Sequence, residues 1–289
     1  MSLIETFWSK LLLIKLTKIV ILTGNEIRHK YFRTYISNNK NFECLATICE
    51  SNHGSLKNRL KKNTNVSNIE WQHVLMRQRS EIKYFSKYIR SNKDLSNPYF
   101  IKKGDINNQD IVDLIIKLKP DIIICYGSSI IKSNLIDLFK RRFINVHLGL
   151  SPYYLGAGTN IWPIINNELD KIGATFMYID KGIDTGQVIH QIRADILKND
   201  DPHQIGNRLI KKMAVGMVDI INNFDNLAIE KPLDFKGKTY LHSDFNKRMC
   251  ELLYKNVKDG HINKYVESVD YNKIDKCPII ENKALEQSL

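Results

Sequence analysis

Three side chains near the middle of the chain have the types and spacing for proton-coupled acyl chemistry: Asn145, His147 and Asp184. The apolar run Phe143-Ile144-Asn145-Val146 reads as a strand. Residues two apart on a strand leave the same face, so the Asn145 amide and the His147 imidazole are displayed together. An amide can donate to the oxygen of a carbonyl that becomes tetrahedral. An imidazole takes and returns protons near neutral pH. A nearby carboxylate can orient the imidazole, pair with its charged form, or relay a proton through water. Such a set suits acyl transfer to a neutral nucleophile. An Asn-x-His pair alone is more often a strand-end histidine satisfied by backbone, so the surrounding pattern has to carry the argument.

That pattern is specific. After His147 the chain breaks at Gly149, passes Ser151-Pro152 and reaches Gly156-Ala157-Gly158, where glycines permit close approach of backbone to a ligand. A second apolar strand, Ile172 to Ile179, runs into the glycine-flanked turn Asp180-Lys181-Gly182-Ile183-Asp184-Thr185-Gly186. Asn145-Val146-His147, then Leu150-Ser151-Pro152-Tyr153-Tyr154-x-Gly156, then Ile183-Asp184-Thr185-Gly186 resembles the signature of the 10-formyltetrahydrofolate-dependent formyltransferases. That family includes glycinamide ribonucleotide, methionyl-tRNA and sugar N-formyltransferases. The usual Ser-Leu-Leu-Pro after the histidine is Gly149-Leu150-Ser151-Pro152 here. The resemblance is clear over about residues 110 to 195 and fainter over 17 to 225.

The resemblance implies a catalytic set of Asn145, His147 and Asp184, with 10-formyltetrahydrofolate as co-substrate and no metal. It also implies a folate pocket bordered by the backbone of Tyr126, Gly127, Ser128, Ser129, Ile130 and Ile131, and by Gly182, Ile183 and Gly186 of the acidic turn. Loop and turn are expected to face each other across a cleft, both leaving the same sheet edge. The alternative reading of the loop is a plain strand-to-helix turn capped by Ser128 or Ser129.

The elements that must position these residues follow a βα rhythm. Lys18 to Thr23 and Phe42 to Cys49 read as buried strands flanking a helix over Glu26 to Ser37. Ser51 to Thr64 is polar and lysine-rich, a loop by composition. Ser67-Asn68-Ile69-Glu70 fits a capping box, opening a helix to about Ile89. Asn92 to Pro98 reads as loop. Asp110 to Lys119 is amphipathic and stops at Pro120, and Asp121 to Tyr126 is apolar throughout, as a central strand is. Gln187 to Ala194 reads as a strand. Asp201-Pro202-x-Gln204 opens a long helix whose stripe Ile205, Leu209, Met213, Met217, Ile220 and Phe224 is core packing. There is no G-x-G-x-x-G, so the dinucleotide fingerprint is absent. The expected fold is α/β, a doubly wound and mostly parallel sheet over residues 17–228. Residues 1–16 precede it as an extension, read as a short docked helix or an artefactual start. A small α+β tail over 229–289 follows. In it, Phe235 to Leu241 reads as a strand pair around Gly237, Ser243 or Asp244 caps a helix to about Val257, a second short helix reaches Val266, and the last twenty residues read as irregular.

Composition narrows the class. The chain has 289 residues, 43% hydrophobic, enough for one core and an appendage. Its five cysteines lack metal-ligand spacing and read as free buried thiols in a reducing, cytoplasmic setting. No stretch has the continuous apolar length of a membrane span, and residues 1–16 lack a small-residue cleavage site. The net charge of +12 admits nucleic acid or anionic substrates as partners, but the lysines are scattered and the Lys, Asn and Ile bias also follows from an AT-rich genome. The expected partners are therefore folate and a small primary amine, with a homodimer allowed. The tail decides the acceptor expected by resemblance. Glycinamide ribonucleotide enzymes end near the last core helix and the tRNA enzymes carry a longer C-terminal β-barrel, so a short mixed tail is more like the sugar enzymes acting on nucleotide-linked amino sugars. The rival readings are a methionyl-tRNA or other small-amine formyltransferase, a formyltetrahydrofolate hydrolase, and a non-catalytic nucleotide- or nucleic-acid-binding α/β module.

Overall fold

The computed structural model describes residues 16–51, 56–61, 66–235, 237–268 and 277–285. Residues 1–15 of the expected N-terminal helix, and 270–276 and 286–289 of the last twenty residues, lie outside the described residues. The large sheet is built from β1 (Thr17–Thr23), β2 (Phe42–Glu50), β3 (Pro98–Ile101), β4 (Ile122–Tyr126), β5 (Phe143–His147), β7 (Gly173–Tyr178) and β8 (Val188–Arg193). Their order is β3-β2-β1-β4-β5-β7-β8. The order reverses between β1 and β4, which places a crevice outside the carboxyl ends of those strands. The β3-to-β5 portion is parallel, whereas β7 runs antiparallel to β5 and β8 antiparallel to β7.

Strand parity assigns each side chain to a layer. Ile19 and Ile21 of β1 face one core with Phe32, Phe85 and Met213, while Val20 and Leu22 face another with Ile111, Ile115 and Leu135. The first layer is covered by α1 (Ile27–Ser37), α3 (Asn68–Ser91), α6 (Trp162–Ile165) and α7 (Pro202–Asn222); the second by α4 (Gln109–Leu118) and α5 (Ser133–Leu138). A sheet buried on both faces needs strands apolar at every position, which is how β1 and β4 read. The expected doubly wound α/β fold is the observed one. The capping boxes at Ser67-Glu70 and Asp201-Gln204 are both formed. Among the described residues no helix is long and apolar enough to cross a membrane.

Several local expectations are corrected. The stretch taken as loop after Ser51 contains a short helix, α2 (Leu56–Lys61), and the stretch after Asn92 ends in β3. Proline is tolerated as the first residue of an edge strand, and Pro98 takes that place. Among the described residues the segment around Gly237 does not pair with itself. Its one strand, β9 (Lys238–Tyr240), pairs in parallel with β6 (Tyr154–Gly156) far away in sequence. The first tail helix, α8 (Lys247–Lys258), is capped by Asn246, whose side chain accepts from the Met249 N–H, and not by Ser243 or Asp244. A further helix, α9 (His261–Glu267), follows. The tail is part of the main body. Tyr240, Leu253, Ile262 and Leu285 belong to the same apolar cluster as Ile19 and Met213.

The tail helix is fastened to the body by a buried polar group of three rings. Tyr254 of α8 sets its hydroxyl 3.0 Å from His73 Nδ1 on α3 and 3.2 Å from His203 Nε2 on α7. Burial pushes His73 down to about 3 and His203 down to about 4, with His203 and Arg77 adding to the first and Arg77 to the second. Burial likewise pushes His190 down to about 4. These groups stay neutral in the folded chain when the unfolded chain, at about 6.5, has begun to take protons. Their contribution is therefore complete above about pH 6.5 and is lost as pH falls toward about 4. The melting temperature should drop between about pH 7 and about pH 5, and the doubly substituted variant His73→Gln, His203→Gln should show a shallower drop in the same scanning experiment.

Candidate active site

Parity also places the side chains expected to do chemistry. Phe143, Asn145 and His147 share one face of β5, the face on which Phe143 joins Ile111, Ile115 and Leu135. Phe143 is covered by that layer. The carboxyl half of the same face is left to the turn between β7 and β8.

That turn leaves the sheet at an unexpected edge. Because β7 is antiparallel, Tyr178 lies opposite Ile144, near the amino end of β5, while the loop after Tyr126 leaves at the carboxyl ends. The expectation that loop and turn share an edge is therefore wrong. The turn instead folds back over the face of β5. Asp184 adopts φ 54° there, a left-handed conformation. Gly186 packs against the Tyr178 carbonyl so closely that a Cβ would sit 1.7 Å from it, so only glycine closes this turn.

The fold-back delivers Asp184 to both expected partners. Asn145 Nδ2 donates to Asp184 Oδ1 at 3.3 Å, and His147 Nδ1 lies 3.2 Å from Oδ2. The Gly156 N–H donates to Oδ2 at 3.0 Å. His147 Nε2 lies 3.1 Å from the Tyr154 carbonyl oxygen. Both neighbours of the imidazole are acceptors, so either ring nitrogen is placed to donate. The Asn145 amide has a second N–H with which to meet an oxyanion. Magnitudes decide what holds the turn. The Lys181–Asp137 pair is 3.5 Å apart and more than half exposed at both ends, worth about 0–1 kcal/mol. Hydrogen bonds to a charged group are worth about 1.5–3 kcal/mol each, and Asp184 receives several in a largely buried setting.

The loop after β4 is built from the other side. Gly127 has φ +72°, and a Cβ on it would lie 2.5 Å from His29 Nε2. His29 is buried, accepts from the Glu26 N–H at 3.1 Å through Nδ1, and rests edge-on against Tyr126. Burial, reinforced by Arg28 and Arg77, holds its imidazole well below the usual range, so it stays neutral. Glu50, fully buried at the end of β2, accepts from the Ser129 N–H at 2.5 Å, the Gly104 N–H at 2.7 Å and Lys103 Nζ at 3.0 Å. Of the residues assigned to the folate pocket, Tyr126 and Ile131 bury their side chains in the two cores, and the Tyr126 carbonyl is taken by Thr23 Oγ1. Ser128 bonds Cys125, and Gly182 packs against Thr185. Ile130 and Ile183 expose apolar surface to solvent. Sequence reasoning missed Glu50, His29 and the backbone groups of Tyr154 and Gly156. An acid closing the strand FECLATICE was the one signal available for Glu50.

Next to this loop, at the carboxyl end of β1, opens a cleft of about 480 Å³. Glu26, Lys57, Lys61, Arg77 and Glu81 line it, with Gln78 between them. Arg28 and Arg77 pair with Glu26 and Glu81, which leaves the two lysines as its net charge.

Residues 18–221 match the model of the family described as formyl transferase. The chain is 30% identical over 185 residues to a methionyl-tRNA formyltransferase of Finegoldia magna, covering 63% of this chain and 53% of that protein. The chain thus spans about half the length of the curated relatives it matches. Among solved structures it is similar to a sugar N-formyltransferase from Shewanella, with TM-score 0.53, 16% identity, 83% of this chain and 87% of the other. It is also similar to an N-formyltransferase from Helicobacter canadensis in complex with folinic acid and dTDP-3-aminofucose, with TM-score 0.50, 18% identity, 83% of this chain and 80% of the other.

Gly127 offers a direct check on the loop. The change Gly127→Ala forces a left-handed residue and a clash with His29, so it should lower stability by about 1–3 kcal/mol in denaturant unfolding. The variant Ser128→Ala, beside it, should lose less than half as much.

Proposed function

The chain belongs to the formyl transferase family, and on that premise we propose that it transfers a formyl group from 10-formyltetrahydrofolate to a primary amine. The observation that carries the reading is the Asp184 carboxylate bonded at once to Asn145 and to His147. Folate is a fit for the residues present: the left-handed Gly127 keeps a side chain out of the loop, and Ile130 and Ile183 offer exposed apolar surface to a flat ring. When bound, the co-substrate supplies a formyl carbon held on an amide-like nitrogen.

The chain's own groups then have separate tasks. The second N–H of Asn145 donates to the formyl oxygen as the unprotonated amine attacks. His147 donates to the same oxygen or takes the proton the amine must lose, and returns one to the departing nitrogen. Asp184 fixes the imidazole and balances its charge while the proton is held there. Burial of His147 and Asp184 keeps these interactions strong, because water screens them little.

For the acceptor we propose the amino group of a nucleotide-linked amino sugar. Supporting it are the likeness to sugar N-formyltransferase folds and the net positive cleft, which suits a phosphorylated acceptor. A second reading, methionyl-tRNA, is favoured by the names of the curated relatives. Mass spectrometry of candidate amines incubated with enzyme and 10-formyltetrahydrofolate separates them: one formyl added to an amino sugar nucleotide supports the first, and added to charged tRNA alone overturns it.

Asn145→Ala should cost on the order of 100- to 1000-fold in turnover with the fold intact. His147→Ala should abolish transfer. Asp184→Asn should lower turnover steeply with folate affinity little changed, and combining it with His147→Ala should add little, since groups that act as a unit are non-additive. Fully additive losses in the double variant would mean independent roles.

A further inference from the structure

Strand β6 has two edges, and they hold different parts of the molecule. Backbone groups of successive residues in a strand point to opposite sides. On one side, the Tyr154 carbonyl faces His147 Nε2 at 3.1 Å and the Gly156 N–H donates to Asp184 at 3.0 Å. On the other side, the Lys238 N–H donates to the Tyr153 carbonyl at 3.3 Å and the Ala157 N–H donates to the Tyr240 carbonyl at 2.8 Å. Both ends of the His147–Asp184 pair therefore rest on a strand of three residues, and the tail fixes where that strand lies.

Tyr240 is the principal fastening. Its ring stacks on Trp162 at 4.2 Å and 17°, and nearly parallel to Tyr154 at 5.7 Å and 11°. Asn166 Nδ2 donates to the hydroxyls of both tyrosines at 2.9 Å. The backbones approach so closely that a Cβ on Gly156, which has φ +87°, would lie 2.2 Å from the Tyr240 oxygen. We infer that β9 is a positioning element of the catalytic site, with Tyr240 as its positioning residue. It touches neither reacting group; it sets the backbone of β6, and β6 sets His147 and Asp184 together.

The inference rests on the formyl-transfer reading for its kinetic arm only. Full-length Tyr240→Ala, Tyr240→Phe and Lys238→Pro are assayed with 10-formyltetrahydrofolate and the amine that mass spectrometry identifies. In parallel, long-range proton–nitrogen NMR follows the ring nitrogens of His147. Tyr240→Ala should lower kcat by about tenfold or more with both KM values within about twofold, because small misplacements of catalytic groups are costly. The His147 ring signals should move with it. Tyr240→Phe keeps the stack and should stay within about twofold of the parent. Lys238→Pro removes the N–H that bonds Tyr153 at an exposed position, so it carries the test should Tyr240→Ala not fold. Loss of kcat with moved His147 signals in either variant supports the inference. Unchanged kcat in the folded variants, or a loss confined to KM with His147 signals unmoved, overturns it. A parent enzyme that formylates no amine defeats the formyl-transfer reading, and the His147 signals alone then decide the positioning role.

Discussion

The Asp184 carboxylate is the point on which the rest of this structure converges. One oxygen takes the Asn145 amide; the other takes the Gly156 N–H and lies against His147. Three separate segments are tied by one charged group: the strand that carries the amide and imidazole, the glycine-rich strand after it, and the turn that carries the acid. A largely buried carboxylate persists only when such donors replace its water. The site is therefore self-consistent in a simple sense: removing any of the three segments leaves buried polar groups without partners.

The sheet makes that convergence geometrically available. In β5, parity sends Ile144 and Val146 into one core and Phe143 toward the other, so Asn145 and His147 follow Phe143's side. The helices on that side cover Phe143 but stop short of the strand's carboxyl end. The antiparallel β7 then brings the next turn out at the amino end, and the left-handed Asp184 lets it return across the vacated face. The neighbouring loop after β4 is fixed from beneath by Glu50 and from the side by His29. Both supports are buried, and both act on the backbone of that loop. The cleft beside Lys57 and Lys61 opens at the same carboxyl edge, two strands from β5, roughly 10 Å away at ordinary strand spacing.

The tail changes meaning in this light. Composition gave it no chemistry, and its described residues meet the body through packing, rings and backbone hydrogen bonds. Its helix α8 is anchored through Tyr254 to two buried histidines, and its strand β9 is anchored through Tyr240 to an aromatic stack. The residues over 277–285 reach further. The Gln191 N–H donates to the Ile280 carbonyl, and Asn282 bonds His190 and Ile189, so this segment lies along β8 and satisfies backbone that an edge strand would leave open.

What the sequence determined by itself is what short-range periodicity and end signals can encode. The continuous apolar runs announced the buried strands, the capping boxes at Ser67 and Asp201 announced two long helices, and the two-residue spacing of Asn145 and His147 put them on one face. The ordered motifs also named Asp184 as the third member, though no local rule says that it reaches the other two. Tertiary structure alone decided that it does, and from which edge, because strand direction in β7 is set by pairing and not by the residues of β7. It alone decided that Glu50 is buried beneath the loop after β4, that Tyr154 and Gly156 act through their backbones, and that β9 joins β6 rather than folding on itself. Strands of three residues are too short to show a period, and backbone hydrogen bonds carry no side-chain signature, so contacts of this kind become definite only when distant segments pack together.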